Sequence, residues 1–284
     1  VYIPLISELF NIILANIWPF SRLGIFRYVV ARPAHPKVKA KPSLSIVIPA
    51  RNEMGTIETM ARTLPSLGSH TELIFIEGNS KDDTWKEIER VAREFGGIGA
   101  DKRDIKIAKQ EGRGKGDAVR KGFSMATGDI LAIYDADMTV PAAEVEKFYR
   151  ALASGVADFA NGSRLVYPVE KGAMRVINLM GNKFFSWAFS WILGQPMKDT
   201  LCGTKVLWRV DYEEIAKDRA YFGDFDPFGD FDLLFGAAKQ NLKIVDVPIH
   251  YKDRVYGETN IRRWSHGWLL LKMTVFAARK LKFK

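Results

Sequence analysis

The residues best suited to chemistry in this chain are acids and bases placed where short apolar runs end. Asp135-Ala136-Asp137 follows the run Ile130-Leu-Ala-Ile-Tyr134. In an extended chain, positions i and i+2 share a face and lie roughly 6.5–7 Å apart. Two carboxylates that close repel unless a proton or cation sits between them. A hard divalent ion bridged to phosphate oxygens answers that repulsion, so magnesium or manganese on oxygen ligands is expected at Asp135 and Asp137. The same pattern also serves as a turn or a helix cap. Glu111-Gly-Arg-Gly-Lys-Gly-Asp117 sets Arg113 and Lys115 among glycines just before a helical stretch. There the backbone can approach an anion at a helix N-terminus, or simply form a solvated turn. It is neither a Walker loop nor a dinucleotide fingerprint. Asp199, Asp230 and Asp232 are candidate general bases if a hydroxyl must be activated. Asp230-Phe-Asp232 directly precedes an apolar helical run and reads equally well as a helix N-cap.

Elements of alternating type must position these groups. Leu44–Pro49, Glu72–Glu77, Ile105–Ala108 and Ile130–Tyr134 read as buried strands. Between them Thr56–Leu64, Thr84–Phe95 and Lys115–Ala126 carry helical periodicity. Strand and helix in alternation predict a mostly parallel sheet covered on both faces, with ligands outside the carboxyl ends of its strands. The polar groups fall at those ends: Arg51-Asn52-Glu53, Glu77, and Asp135 with Asp137. The second half is less regular, with Gly- and aromatic-rich loops and one further strand expected at Lys243–Val247.

Composition narrows the classes. The 284 residues are 47% hydrophobic and 26% charged, which excludes a disordered or collagen-like chain. With 42 Lys+Arg against 33 Asp+Glu, the net charge of +9 suits anionic partners. A single cysteine, Cys202, excludes a disulfide framework and implies a reducing, cytoplasmic setting. Ala31–Ser43 holds three prolines and several lysines and reads as a linker. The expected organisation is an apolar segment plus linker over 1–42, a catalytic domain over 43–260 and an amphipathic segment over 261–284. Opening on Val1 predicts a longer parent chain.

Four ordered motifs carry a specific resemblance: Ile46-Val-Ile-Pro-Ala-Arg-Asn-Glu53, Ile76-Glu-Gly-Asn-Ser-Lys-Asp-Asp-Thr84, Arg113-Gly-Lys-Gly-Asp-Ala118 and Asp135-Ala-Asp137. Together they resemble family-2 glycosyltransferases of the GT-A fold over about Ser43 to Tyr256. The further motifs Gly162-Ser-Arg164, Arg175, Asp199-Thr-Leu-Cys-Gly-Thr-Lys205 and Asp253-Arg-Val-Tyr-Gly-Glu-Thr-Asn260 resemble polyprenyl-phosphate sugar transferases of the dolichol-phosphate mannose synthase type. The resemblance implies an α/β fold with a Rossmann-like nucleotide-binding half and an irregular acceptor half. It implies that Pro49, Ala50, Arg51, Asn52 and Glu53 line the nucleotide pocket, with Arg113, Lys115 and Ala136 beside it. Glu77 would read the base, Asp135 and Asp137 would hold Mg2+ or Mn2+, and Arg254 would meet the donor diphosphate. Arg164 and Arg175 would grip an acceptor phosphate. Two departures stand out: Glu77-Gly-Asn-Ser replaces the family's Asp-Asp-Gly-Ser, and Gly257-Glu-Thr-Asn260 lacks its phosphate-binding lysine. The opening YIPLISELFNIILANIWPF resembles the junction of bacterial methyltransferase–glycosyltransferase fusions.

The implied reaction is inverting, metal-dependent transfer from a UDP- or GDP-sugar to a polyprenyl phosphate, or else to a saccharide hydroxyl. A sugar nucleotidyltransferase is disfavoured because Pro49-Ala-Arg-Asn-Glu53 is no Gly-rich loop. A nucleic-acid module is disfavoured because Lys and Arg are dispersed among acids. Trp264–Phe276, followed by a basic tail, suits peripheral contact with the inner membrane face through Trp264, Trp268, Leu269, Leu270, Leu271, Met273 and Phe276, or burial as a C-terminal helix.

Overall fold

The computed structural model describes residues 7, 9–10, 13–17, 19–22, 40–97, 102–167, 176–218, 229–254, 256 and 263–283; side chains of the helices beginning at 176 and 263 are described from 181 and 268 onward. Arg175, Gly257–Asn260 and most of the segment before residue 40 lie outside these residues, as does the side chain of Trp264.

Seven strands form one sheet: β1 (Leu44–Ala50), β2 (Thr71–Glu77), β3 (Asp104–Lys109), β4 (Ile130–Ile133), β5 (Phe159–Ser163), β6 (Lys205–Trp208) and β7 (Ile244–Pro248). Their order is β3-β2-β1-β4-β6-β5-β7. Only β6 runs against its neighbours, β4 and β5; every other pairing is parallel. The carboxyl ends of β1, β2, β4, β5 and β7 therefore share one edge with the amino end of β6. The predicted strands are all present. β5 and β6 were not expected, and β4 stops at Ile133, one residue short of Tyr134.

Among the described residues, eight α-helices cover the sheet: α1 (Ile57–Thr63), α2 (Thr84–Phe95), α3 (Lys115–Met125), α4 (Val145–Ala153), α5 (Val176–Leu193), α6 (Arg209–Lys217), α7 (Asp230–Lys239) and α8 (Arg263–Leu281). Side chains alternate across each strand, so the sheet feeds two cores. Ile46, Ile48 and Phe75 pack with Ile57, Met60 and Val91 of α1 and α2 and Phe148 of α4. Val47, Ile74 and Ile133 pack with Phe123 of α3, Phe189 of α5, Phe231 and Phe235 of α7, and Leu270 and Met273 of α8. α8 is thus half core: burying Leu270 and Met273 removes them from the expected membrane face, of which Trp268 and Leu271 are exposed, and Val275, not expected there, is exposed beside them. Asn16, in the N-terminal segment, accepts a bond from Trp191 Nε1 on α5 at 2.9 Å and donates to Lys282 O at 3.0 Å.

At the opposite edge, fully buried Glu72 knots three strands together. Ser45 Oγ donates to it, as does Thr127 N at 2.6 Å, and Lys106 Nζ lies 2.5 Å away. Burial opposes its ionisation, but bonds from Lys106, Ser45 and Thr127 outweigh this and hold its pKa below the ordinary 4.5. A depressed carboxyl pKa gives stability that is present above the unfolded value and lost as pH falls through the folded one. Glu72→Gln should cost about 1–3 kcal/mol at neutral pH, with the gap to the parent closing as pH falls below 4.5. Urea denaturation across that range measures it; a gap independent of pH contradicts the assignment.

Candidate active site

The loops leaving β1 and β2 are stitched to each other. Asn52, at a left-handed φ of 57°, accepts Lys81 N at 2.7 Å, and Ser80 Oγ accepts Asn52 N at 3.0 Å. Gly78 N bonds Ala50 O at 2.8 Å. Glu77, buried at the end of β2, accepts Ser80 N. Pro49 and Ala50 close β1, Arg51 is exposed, and Glu53 turns inward, its amide bonded to Thr84 Oγ1. These residues line one continuous wall. Arg113, by contrast, is exposed at the approach to α3.

Asp135 and Asp137 come together by a route other than the one the spacing predicted. A turn after β4, not an extended strand, carries them: Met138 N bonds Asp135 O and Met138 has a φ of 53°. Thr56 Oγ1 pins the turn by donating to Ala136 O at 2.7 Å. Around the turn, charges alternate. Arg254 donates to Glu53 Oε1 at 2.6 Å and to Asp137 Oδ2 at 3.0 Å. Lys115, the first residue of α3, lies 2.5 Å from Asp135 Oδ1 and 3.9 Å from Asp230 Oδ1. Lys205, fully buried on β6, lies 3.6 Å from Asp230 Oδ1 and donates to Cys202 O at 2.5 Å.

Among the described residues four carboxylates thus face three cations, an excess of one negative charge if all are ionised. The titrations reflect this. Burial, with Asp137 and Asp82, pushes Glu53 up to about 7 against the pull of Arg254. Burial and Asp135 raise Asp137, opposed by Arg254 and by two bonds from Thr139. Burial works against the charge of Lys115, yet Asp135 and Asp230 hold its pKa above the usual lysine range. Gly203 is part of the packing: a Cβ there would lie 2.0 Å from Asp135 Oδ2 and 2.3 Å from Lys115 Nζ. Only glycine lets the backbone pass so close.

The donor set of Asp135 and Asp137 is oxygen only, and Glu53 Oε2 is buried with no hydrogen-bond partner among the described residues. Such a set fits magnesium or manganese, which take one or two carboxylates and complete their shell with water and substrate phosphate. Among the described residues no three His, Cys, Asp or Glu side chains form a self-sufficient metal cage.

Asp199 is locked. It accepts Arg164 Nε at 2.6 Å, Arg164 Nη2 at 2.8 Å, Arg164 N at 3.1 Å, Asn182 Nδ2 at 3.0 Å and Leu201 N at 3.0 Å. Burial alone would raise its carboxyl, but Arg164 and Asn182 hold it at about 2. A carboxylate so saturated does not fit a proton-accepting role. Asp230, between two ammonium groups, does not fit one either. Asp232 lines a cavity with Arg120, Tyr212 and Ile215. Sequence reasoning missed Thr139, Asn182, Gly203, Lys205 and Tyr251. A lysine inside the strand-like run Gly-Thr-Lys-Val-Leu-Trp208 was the one visible signal.

With this geometry in place, comparison with known proteins is informative. The chain is 29% identical over 234 residues to a low-salt glycan biosynthesis hexosyltransferase of Haloferax volcanii, covering 80% of this chain and 52% of that protein. It is 24% identical over 236 residues to a dolichol-phosphate mannosyltransferase of Pyrococcus furiosus, covering 77% and 59%. The chain therefore spans just over half the length of these relatives. Among solved structures, glucosyl-3-phosphoglycerate synthase from Mycobacterium tuberculosis, in complex with Mn2+, UDP and glucosyl-3-phosphoglycerate, superposes with a TM-score of 0.59 at 18% identity, covering 90% of this chain and 88% of that one. That likeness, with the mostly parallel sheet, shows the GT-A type of fold. The model of the family described as glycosyl transferase family 2 matches residues 45–212, and this chain belongs to that family.

Proposed function

We propose that the chain transfers a sugar, with inversion, from a nucleotide-diphosphate sugar to a polyprenyl phosphate at the membrane surface. The observation that carries the acceptor is Arg164. Asp199 takes the Nε–Nη2 side of its guanidinium, which leaves the Nη1 side to offer paired N–H groups to an oxyanion. The side chain is only 13% exposed, so it is pre-oriented and nearly desolvated. A phosphate acceptor is already anionic and needs no general base. This agrees with the commitment of Asp199 and Asp230 to ion pairs, whereas a saccharide hydroxyl would need a base, and of the three candidates that leaves Asp232 on its separate cavity. The dolichol-phosphate mannosyltransferase among the relatives supports the same class of acceptor.

On the donor side, Pro49–Glu53 and Glu77 form the wall for the nucleoside, and Arg254 and Lys115 flank the position of the diphosphate. Asp135 and Asp137 would hold Mg2+ or Mn2+, which neutralises charge on the leaving nucleoside diphosphate. The M. tuberculosis structure with Mn2+ and UDP supports this choice. The acceptor oxygen supplies the electron pair for the new bond to the anomeric carbon, and the bond to the diphosphate breaks with its pair leaving on the nucleotide. Arg164, with Arg175 as its expected partner, orients that oxygen.

No helix among the described residues is long and apolar enough to cross a membrane. Contact through side chains exposed on two helices is the proposed alternative: Trp268, Leu271 and Val275 of α8 beside Lys272 and Arg279, and Phe184 and Trp187 of α5 beside Lys183. Apolar and aromatic groups rimmed by cations suit an anionic bilayer surface.

Three outcomes follow. Asp137→Asn should lower transfer at least about 100-fold and abolish the Mn2+-dependent part of nucleoside-diphosphate binding, read by calorimetry; retention of both removes the metal assignment. Asp199→Asn should cost about 3–5 kcal/mol of stability, because it strands a buried guanidinium. If instead the variant is as stable as the parent and merely loses turnover, Asp199 is the base and the acceptor is a hydroxyl. Replacing Trp268, Leu271 and Val275 together by Glu, which spares buried Leu270 and Met273, should abolish sedimentation with anionic liposomes at low salt. Unchanged sedimentation refutes the α8 contact.

A further inference from the structure

The segment leaving β7 crosses from the acceptor arginine to the donor carboxylates. Ile249 N bonds Ser163 O at 3.1 Å, next to Arg164, and Lys252 N bonds Thr139 O at 2.9 Å. Between these anchors the Tyr251 ring packs against the Arg164 guanidinium, whose Cζ lies 5.2 Å from the ring centroid. The Tyr251 hydroxyl meets Thr139 and Arg164. Thr139 in turn gives both its amide, at 3.1 Å, and its hydroxyl, at 2.9 Å, to Asp137 Oδ1. Three positions beyond Tyr251, Arg254 binds the other oxygen of Asp137 and also Glu53. One short strap therefore touches both halves of the site, and Asp137 is held from both of its oxygens by groups that belong to the strap or bond directly to it.

We propose that Tyr251 is a positioning residue that ties Arg164 to Asp137 through Thr139, so that filling the donor site tightens the grip on the acceptor phosphate. This rests on the reading of Arg164 as the acceptor-phosphate group. The physical reason is shared contacts: a nucleoside diphosphate and its cation would draw on Asp137 and Arg254, and any resetting of those two is passed to Arg164 by a strap anchored at Ile249 and Lys252. The cation–π contact fixes the guanidinium, and the hydroxyl, between Thr139 and Arg164, passes a shift of one to the other. Because binding free energies are linked, the same factor by which nucleotide strengthens acceptor binding must appear in the reverse order of addition.

The test is calorimetric titration of the full chain with farnesyl phosphate, in the absence and presence of saturating UDP or GDP with Mn2+. The parent protein should bind farnesyl phosphate about tenfold more tightly when nucleotide is present. Tyr251→Phe keeps the ring and loses the hydroxyl; it should bind farnesyl phosphate alone like the parent, bind nucleotide like the parent, and lose the enhancement. Tyr251→Leu, which also loses the ring, should weaken farnesyl phosphate binding itself about tenfold. Full enhancement in Tyr251→Phe, or none in the parent, overturns the coupling. Failure of the underlying reading looks different: then farnesyl phosphate does not bind the parent at all, or binds Arg164→Gln as tightly as the parent. Equal melting temperatures of the parent and Tyr251→Phe exclude misfolding as the cause of a lost enhancement.

Discussion

Like charges gathered at one sheet edge are the constraint around which this molecule is arranged. Parallel strands deliver Glu53, Asp135 and Asp137 to a common edge, and α7 adds Asp230. Left alone, these carboxylates would repel one another in a half-buried site of low effective dielectric. Three cations answer them, and each comes from a different part of the chain: Lys115 from the start of α3, Lys205 from β6 and Arg254 from the strap after β7. Satisfying the acids therefore pulls the first and second halves of the chain into one site. In the proposed reaction that negative charge would attract a divalent cation, and Lys115 and Arg254 would then be partners for a diphosphate.

The reversed direction of β6 gives the site its second half. Because β6 starts where its neighbours end, the loop Asp199–Thr204 arrives at the same edge as Asp135. Gly203 lets that loop pass against Asp135 and Lys115, while Asp199 seizes Arg164 at the end of β5. Asn182 links the same carboxylate to α5, the helix that exposes Phe184 and Trp187. Asp135, Arg164 and the exposed aromatic side of α5 are thereby joined by hydrogen bonds and packing within one frame.

Much of the first half was legible because β1, β2 and β4 are continuous apolar runs ending in polar residues, a pattern that propensity and burial both favour. β5 and β6 were not. Phe-Ala-Asn-Gly-Ser163 carries weak strand formers, and Lys205 interrupts the other; both are strands because their neighbours pair with them. Asp135 and Asp137 do share one corner of the site, but a turn and not strand pleating brings them there. The bonding of Asp199 was not legible because its partners, Arg164 and Asn182, are distant in sequence and a lone Asp in a loop looks available. Tyr251 and Thr139 make long-range contacts that no local spacing announces. The role of Arg175 rests on the resemblance alone.

The central claim is that the acceptor is an oxyanion held by Arg164 and that no protein base activates it. Its most direct measurement compares two lipids that differ only in the phosphate: transfer of radiolabelled sugar from a nucleotide-diphosphate donor, with Mn2+, to a short polyprenyl phosphate and to the corresponding polyprenol. The account predicts labelled product from the phosphate alone, at a rate that falls steeply in Arg164→Gln. Labelled product from the polyprenol at a comparable rate would contradict it.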